Sequence, residues 1–125
     1  LKPIAHRSLS VSVDGPMLLS ALRQYASVAR ITVDDELAQA RFIKRLIHAA
    51  DHCFGILVEL ICEAIGEALL SNADSLSVRS FATCFGKRAG VPDGLNPFIA
   101  EDFRTLDVRR LLLTEPGPGP KAGRR

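Results

Sequence analysis

Aromatic side chains are scarce in this chain of 125 residues, which has six Phe, one Tyr and no Trp. Its core must therefore be filled mainly by aliphatic side chains. Excess charge of one sign is missing too. Sixteen Lys and Arg against fourteen Asp and Glu leave +2, too little to mark a nucleic-acid binder by bulk charge, so such a reading must rest on local clustering. The three cysteines, Cys53, Cys62 and Cys84, are odd in number and contain no Cys-x-x-Cys pair. A reducing, cytoplasmic setting is expected, with Cys62 acting as a small buried hydrophobe midway along an apolar helix. The longest apolar stretch is interrupted by Glu59, Glu63 and Glu67, which excludes a membrane span there. The first residues lack the basic-then-apolar order of a signal peptide. Neither a Gly-x-x-x-x-Gly-Lys-Ser/Thr loop nor an apolar strand ending in paired acids occurs. The groups that hold a nucleoside triphosphate and its magnesium are thus missing, and the chain as it stands is expected not to hydrolyse ATP.

What is present fits one domain. Hydrophobic residues make up 47% and charged residues 24%, ordinary values for a globular unit. The opening Leu1-Lys-Pro-Ile reads like a strand or connector in mid-stream, so a fragment of a longer protein is expected. Residues 1–13 are read as a connector or last strand, with the alternation of Ser8-Leu-Ser-Val-Ser-Val13 predicting a short half-buried strand. Asp14-Gly15-Pro16 opens a first helix over about 15 to 29, proline being tolerated where a helix begins. Met17, Leu18, Ala21, Leu22, Tyr25 and Val28 follow at helical spacing. Ile31 to Val33 is a connector, and Asp34 and Asp35 suit a helix start. That helix is expected to break before Arg41. Beyond the break, Phe42, Ile43, Leu46, Ile47, Ala49 and Ala50 face one way, while Arg41, Lys44, Arg45 and His48 face the other.

Asp51-His52-Cys53 interrupts the pattern. Phe54 to about Leu70 is a third helix, apolar except for a stripe of Glu59, Glu63 and Glu67, and is placed at the centre of the bundle. Gly66 is read as a point where a neighbouring backbone comes close. After a turn over 71–76, Ser77 caps a fourth helix that ends at Gly90, with Val78, Phe81, Ala82 and Phe85 inside. A last helix is expected from about Arg104 to Leu113. Residues 114–125, rich in Pro, Gly and basic side chains, read as a disordered basic tail.

The candidate site is the basic face. Donors on Arg41, Lys44, Arg45 and His48 can line up along the phosphates of DNA or of a nucleotide, with His52 beside them; a merely solvated face is the plainer alternative. His48 and His52 stand four apart, a spacing able to present two imidazoles to a metal, yet no third and fourth ligands follow and no metal is expected. His48 is expected to be exposed, and His52 to bond at the helix break. Cys53 near a helix start could be a nucleophile paired with His6, His48 or His52, but no motif accompanies it. The glutamate stripe suits a partner or a salt bridge to a basic helix. No residue is assigned a catalytic role.

From about Leu9 to Asp107 the chain resembles the C-terminal part of TniB-type transposition helper proteins, which are AAA+ ATPases of bacterial transposons. Arg45-Leu-Ile-His-Ala-Ala50, Phe54-Gly55, Val58-Glu-Leu-Ile61 and Ala64-Ile65 carry the resemblance, followed by Phe81-Ala82, Arg88-Ala-Gly90 and Asn96-Pro97-Phe98. It implies a mainly α fold. On it, residues 14–113 would form a small AAA+ lid-like helical bundle, with a short N-terminal strand left from an α/β core. It also implies a role in DNA transposition: a homo-oligomeric ATP-binding assembly on target DNA that recruits the transposase and a target-selection partner. ATP and magnesium are expected for the full-length parent, and no cofactor for this fragment. One departure stands out. Many such lids carry an arginine one turn into the third helix that reaches the γ-phosphate; here Ile56, Leu57 and Val58 occupy that turn. Nucleotide contact, where it exists, shifts to Arg45, His48 or His52. The alternative is a free-standing helical protein-interaction module with no nucleotide or DNA binding.

Overall fold

The computed structural model describes residues 9–113. The basic tail expected over 114–125 and the first eight residues of the connector expected over 1–13 lie outside those residues. The fold is mainly α. Helices α1 (Val11–Val28), α2 (Ala40–Ala49), α3 (Phe54–Leu70), α4 (Val78–Ala89) and α5 (Val108–Leu113) carry it, joined by single 3-10 turns at Asp35–Ala38, Asp93–Leu95 and Phe103–Thr105.

The strand expected over 8–13 is not there: α1 already begins at Val11. Ser10 stops the extended chain and caps the helix. Its Oγ accepts from the Val13 N–H at 3.3 Å, and its own N–H donates to Asp14 Oδ2 at 2.8 Å. That reciprocal box satisfies the donors that alternation in the sequence had suggested for a strand. Pro16 consequently lies inside the helix, beyond its first turn, and contributes no N–H to the ladder. The buried stripe is Asp14, Leu18, Leu22 and Ala26. Met17, Tyr25 and Val28, members of the series at helical spacing, are exposed.

Strands occur instead in the two connectors. β1 (Thr32–Val33) and β2 (Ser75–Leu76) pair in parallel, with Thr32 opposite Ser75 and Val33 opposite Leu76. Thr32 Oγ1 also donates to the Asp74 carbonyl at 3.1 Å, and Asp34 N–H donates to the Leu76 carbonyl at 2.9 Å. The ladder ties the segment after α1 to the segment after α3.

Helices α1, α2 and α3 end alike. The residue after the cap, Arg30, Asp51 or Asn72, is left-handed, with φ of 61°, 53° and 57°. The next N–H then reaches back to the carbonyl of Ala26, Ile47 or Ala68 at 3.0, 3.0 and 2.9 Å, closing off a carbonyl the helix leaves open. At the end of α4 the left-handed residue is Gly90, φ 67°, as expected, with Val91 N–H returning to Gly86 at 3.3 Å. Between α2 and α3 a second left-handed residue, His52 at φ 58°, turns the chain so sharply that only Cys53 separates it from α3.

The inward face read for α2 is buried. α3 buries Leu57, Leu60, Ile61, Ala64, Ile65 and Ala68, but it is not enclosed on every side. Cys62 is exposed, as are Phe54, Leu69 and Leu70. The glutamate stripe meets α4 along its edge: Arg88 binds Glu63 at 2.9 Å and Glu59 at 3.0 Å, and Lys87 binds Glu67 at 2.9 Å. Such exposed pairs contribute about 1 kcal/mol or less each. Gly66 has no atom within 4 Å of the position a Cβ would take, so the close approach expected there is absent. Gly66→Ala is accordingly expected to raise stability by about 1 kcal/mol, through higher helix propensity and a less floppy unfolded chain. Urea unfolding of the two proteins checks this; a loss of stability would mean that the added methyl meets something.

The helix expected from 104 to 113 is broken in two. Phe103–Thr105 is a single 3-10 turn, and α5 restarts at Val108. Asp107 supplies the new start, its Oδ1 accepting from the Arg110 N–H at 3.2 Å.

Candidate phosphate-binding groove

The basic face of α2 divides. Arg41 and Lys44 are exposed, and neither has an ion-pair partner among the described residues. Arg45 is half-buried and turned to a structural task. Its Nη1 donates one hydrogen to the Pro97 carbonyl at 2.9 Å and the other to the Ala100 carbonyl at 2.6 Å. Its guanidinium lies 4.6 Å from the centroid of Phe103, a cation–π distance. A side chain so engaged holds the 97–103 loop rather than a ligand.

The histidines follow the same division. His48, expected to be exposed, is half-buried. Its Nε2 is 2.9 Å from the Leu106 carbonyl, and its ring meets Phe103 edge-on at 5.5 Å. A ring nitrogen facing a carbonyl acts as the donor, which places the proton on Nε2. His52 does bond at the helix break, its Nδ1 lying 3.2 Å from the Leu9 carbonyl, while Leu9 N–H donates to the His52 carbonyl at 3.3 Å. This reciprocal pair fixes the chain's approach to α1 against the start of α3. The two imidazole centroids are 6.3 Å apart.

Between these elements runs an open groove of about 370 Å³. Lys44, His48, His52 and Arg104 supply its polar lining, and Leu9, Ile47 and Phe103 supply apolar walls. Three of the five residues expected at the site thus share one concavity. Arg41 sits outside it, on the neighbouring surface with Glu36 and Phe98. Comparison with protein-family models, curated proteins and solved structures found no match in any of the three. The chemistry of the groove therefore rests on its own residues.

Sequence reasoning missed Arg104. It is exposed, 5.5 Å from the Phe103 centroid, and reaches the groove because the 3-10 turn folds back over α2. Nothing in the local pattern around Arg104 announces that return; Asn96-Pro97-Phe98 is the nearest signal. Asn96 is 2% exposed. Its Nδ2 donates to the Ala82 carbonyl at 2.7 Å, and its Oδ1 accepts from the Phe98 N–H at 3.0 Å. The turn so formed delivers Phe98 to Phe42, Phe81 and Phe85, at centroid distances of 6.0, 5.5 and 6.0 Å. From this anchor the chain crosses α2 and sets Phe103 and Arg104 beside His48.

Among the described residues no hydrogen bond joins Cys53 to a histidine, and no three His, Cys, Asp or Glu side chains converge as a metal site. Cys84 is buried, its Sγ donating to the Phe81 carbonyl at 3.4 Å. Burial pushes its thiol up to about 12, and the carboxylates of Glu63 and Glu67 add to the rise. At neutral pH it stays a protonated, unreactive thiol. No helix among the described residues is long and apolar enough to cross a membrane.

Proposed function

We propose that this chain is the helical, lid-like part of a transposon-type AAA+ ATPase. Its groove beside α2 takes phosphate groups of target DNA when the assembled protein recruits its transposase and target-selection partner. The observation that carries the reading is the gathering of Lys44, His48, His52 and Arg104 around one concavity walled by Leu9. Two flexible cations with no ion-pair partner among the described residues, at a rim that also offers imidazoles, match an anionic chain. Arg41 extends the same cationic surface along α2. The expected nucleotide-sensing arginine of α3 remains replaced by Ile56, Leu57 and Val58, which favours the DNA backbone over a bound γ-phosphate as the occupant. On this reading the coding sequence ahead of Leu1 carries a Walker A motif, and the parent binds ATP and magnesium there.

Fluorescence anisotropy with a labelled duplex across a salt series tests the assignment. Replacing Arg41, Lys44 and Arg104 together by Ala is expected to weaken binding uniformly across sequences. It should lower the slope of log K against log salt by about 3, roughly one counterion per lost phosphate contact. A chain lacking residues 114–125 is measured alongside, because Arg124 and Arg125 add a basic contribution of their own. If the triple variant binds as the parent chain does, the α2 face is merely solvated and the interaction-module reading takes its place.

A further inference from the structure

A second, larger groove lies on the far side of the Asn96 turn. It has a volume of about 600 Å³ and runs between α4 and the 93–99 segment. Arg79, Thr83 and Lys87 line it from α4, with Asp93, Asn96 and Ile99 opposite. Its walls are firmly set. Gly86 faces the loop directly: a Cβ there would stand in ordinary contact with it, 3.6 Å from Asn96 Nδ2 and 3.8 Å from the Val91 carbonyl. The buried Asn96 amide pins that loop to the Ala82 carbonyl.

Three donors stand in a row along α4. Arg79 is exposed and has no ion-pair partner among the described residues. The Thr83 hydroxyl has no hydrogen-bond partner among them. Lys87 gives one hydrogen to Glu67 and remains 70% exposed, with two further hydrogens to offer. Residues four apart on a helix are separated by about 6 Å along its axis. Alternate residues of an extended peptide are separated by about 6.6 Å on one face. The two spacings match closely enough for three same-face positions of a strand to meet Arg79, Thr83 and Lys87 in turn. Opposite them, Ile99 is 45% exposed and offers apolar surface to an intervening side chain.

We infer that the groove between α4 and the 93–99 segment docks an extended acidic peptide of a partner protein. The peptide sets carboxylates at its first and fifth positions against Arg79 and Lys87, and a hydrogen-bond acceptor at its third against Thr83. The Asp93 carboxylate on the facing rim opposes every anionic group that enters, and a phosphodiester chain brings one with each nucleotide, including one against the uncharged Thr83, whereas the peptide carries charge only where Arg79 and Lys87 meet it. This site is separate from the α2 groove and does not depend on DNA binding there.

The test uses a fluorescein-labelled peptide of about ten residues, with glutamates at positions i and i+4, serine between them and leucine beside the serine. Its binding to the whole chain is followed by anisotropy. A dissociation constant below about 1 mM is expected, with at least tenfold loss in the Arg79→Glu variant and in the Thr83→Glu variant. The peptide with glutamine in place of glutamate is expected to bind at least tenfold more weakly. Circular dichroism melts establish that both variants remain folded; Arg79 is exposed, so its replacement leaves the core untouched. Equal binding of the glutamate and glutamine peptides, or unchanged binding by both variants, overturns the inference. So does the absence of peptide binding combined with a loss of duplex binding in Arg79→Glu, which assigns the row to nucleic acid. Peptide binding that survives the Arg41, Lys44 and Arg104 triple replacement keeps the two grooves distinct.

Discussion

The Arg45→Ala variant is expected to be less stable than the parent chain by about 3 kcal/mol. The side chain bridges two segments that share no strand or helix: α2 and the loop that returns over it. Each of its two bonds joins a charged donor to a carbonyl, at 2.9 and 2.6 Å, and such bonds contribute about 1.5 kcal/mol or more each. The stack on Phe103 adds somewhat under 1 kcal/mol at a half-exposed site. Removing the guanidinium leaves the Pro97 and Ala100 carbonyls without that donor and frees Phe103, and with it the wall against which His48 rests. In urea the midpoint should fall by about 2 M for a slope near 1.5 kcal/mol/M. Arg45→Met separates the contributions, since it keeps the apolar stem and loses only the donors; it should recover less than half of the loss. Stability within about 0.5 kcal/mol of the parent would show the loop to be held by other means, and would return Arg45 to the set of groups available for a phosphate.

A second large loss is expected at Asn96. Asn96→Ala removes a buried amide that both donates and accepts, leaving the buried Phe98 N–H without its partner. An unsatisfied buried N–H costs about 1–3 kcal/mol, and the void left by the amide adds to it. Together they predict about 3 kcal/mol, or a fall of about 15 °C in Tm for a domain of this size. Asn96→Asp should be worse still, although it is nearly isosteric. It retains an acceptor for Phe98 but has no donor for the Ala82 carbonyl, and it brings a carboxylate into a site 2% exposed. The order parent, Ala, Asp in thermal unfolding would show that the lost donor and the buried carboxylate together outweigh the retained acceptor. If the Asp variant proved the more stable of the two, the contact to Ala82 would carry little of the energy.

Asn96 also marks how far the sequence could be read. The helices came through where their buried faces repeat cleanly, as in α2, whose six expected inward residues are all buried. The end of α4 was legible because glycine signals a left-handed residue. The ends of α1, α2 and α3 adopt the same conformation with Arg30, Asp51 and Asn72; Asn and Asp hint at it less strongly than Gly and Arg not at all, so those boundaries carried weaker signals. α1 was misread because Ser8 to Val13 alternates, and alternation is silent about capping. The decisive bonds of Ser10 to Val13 and Asp14 are local and polar. At the site, periodicity put Arg41, Lys44, Arg45 and His48 on one face, and that placement holds. It could not tell that a loop more than fifty residues later in the chain occupies Arg45 and shelters His48 while bringing Arg104 beside them. That partition is a tertiary fact, set by Asn96 and Phe98, with no local signature.

The two-residue ladder between β1 and β2 has a consequence for the order of folding. The helices form from neighbouring residues and need little chain to be gathered. The ladder joins positions such as Thr32 and Asp74, forty-two apart in sequence, and closing a loop of that length costs about 3 kcal/mol in chain entropy before any contact offsets it. So few bonds cannot meet that cost alone. The ladder must therefore close late, once α1 and α3 have already met through their apolar faces. It records the relative direction of the two helices rather than dictating it. Amide hydrogens that depend on it, Asp34 foremost, report on the assembled bundle as a whole, and their exchange follows the opening of the entire domain instead of the fraying of any one helix.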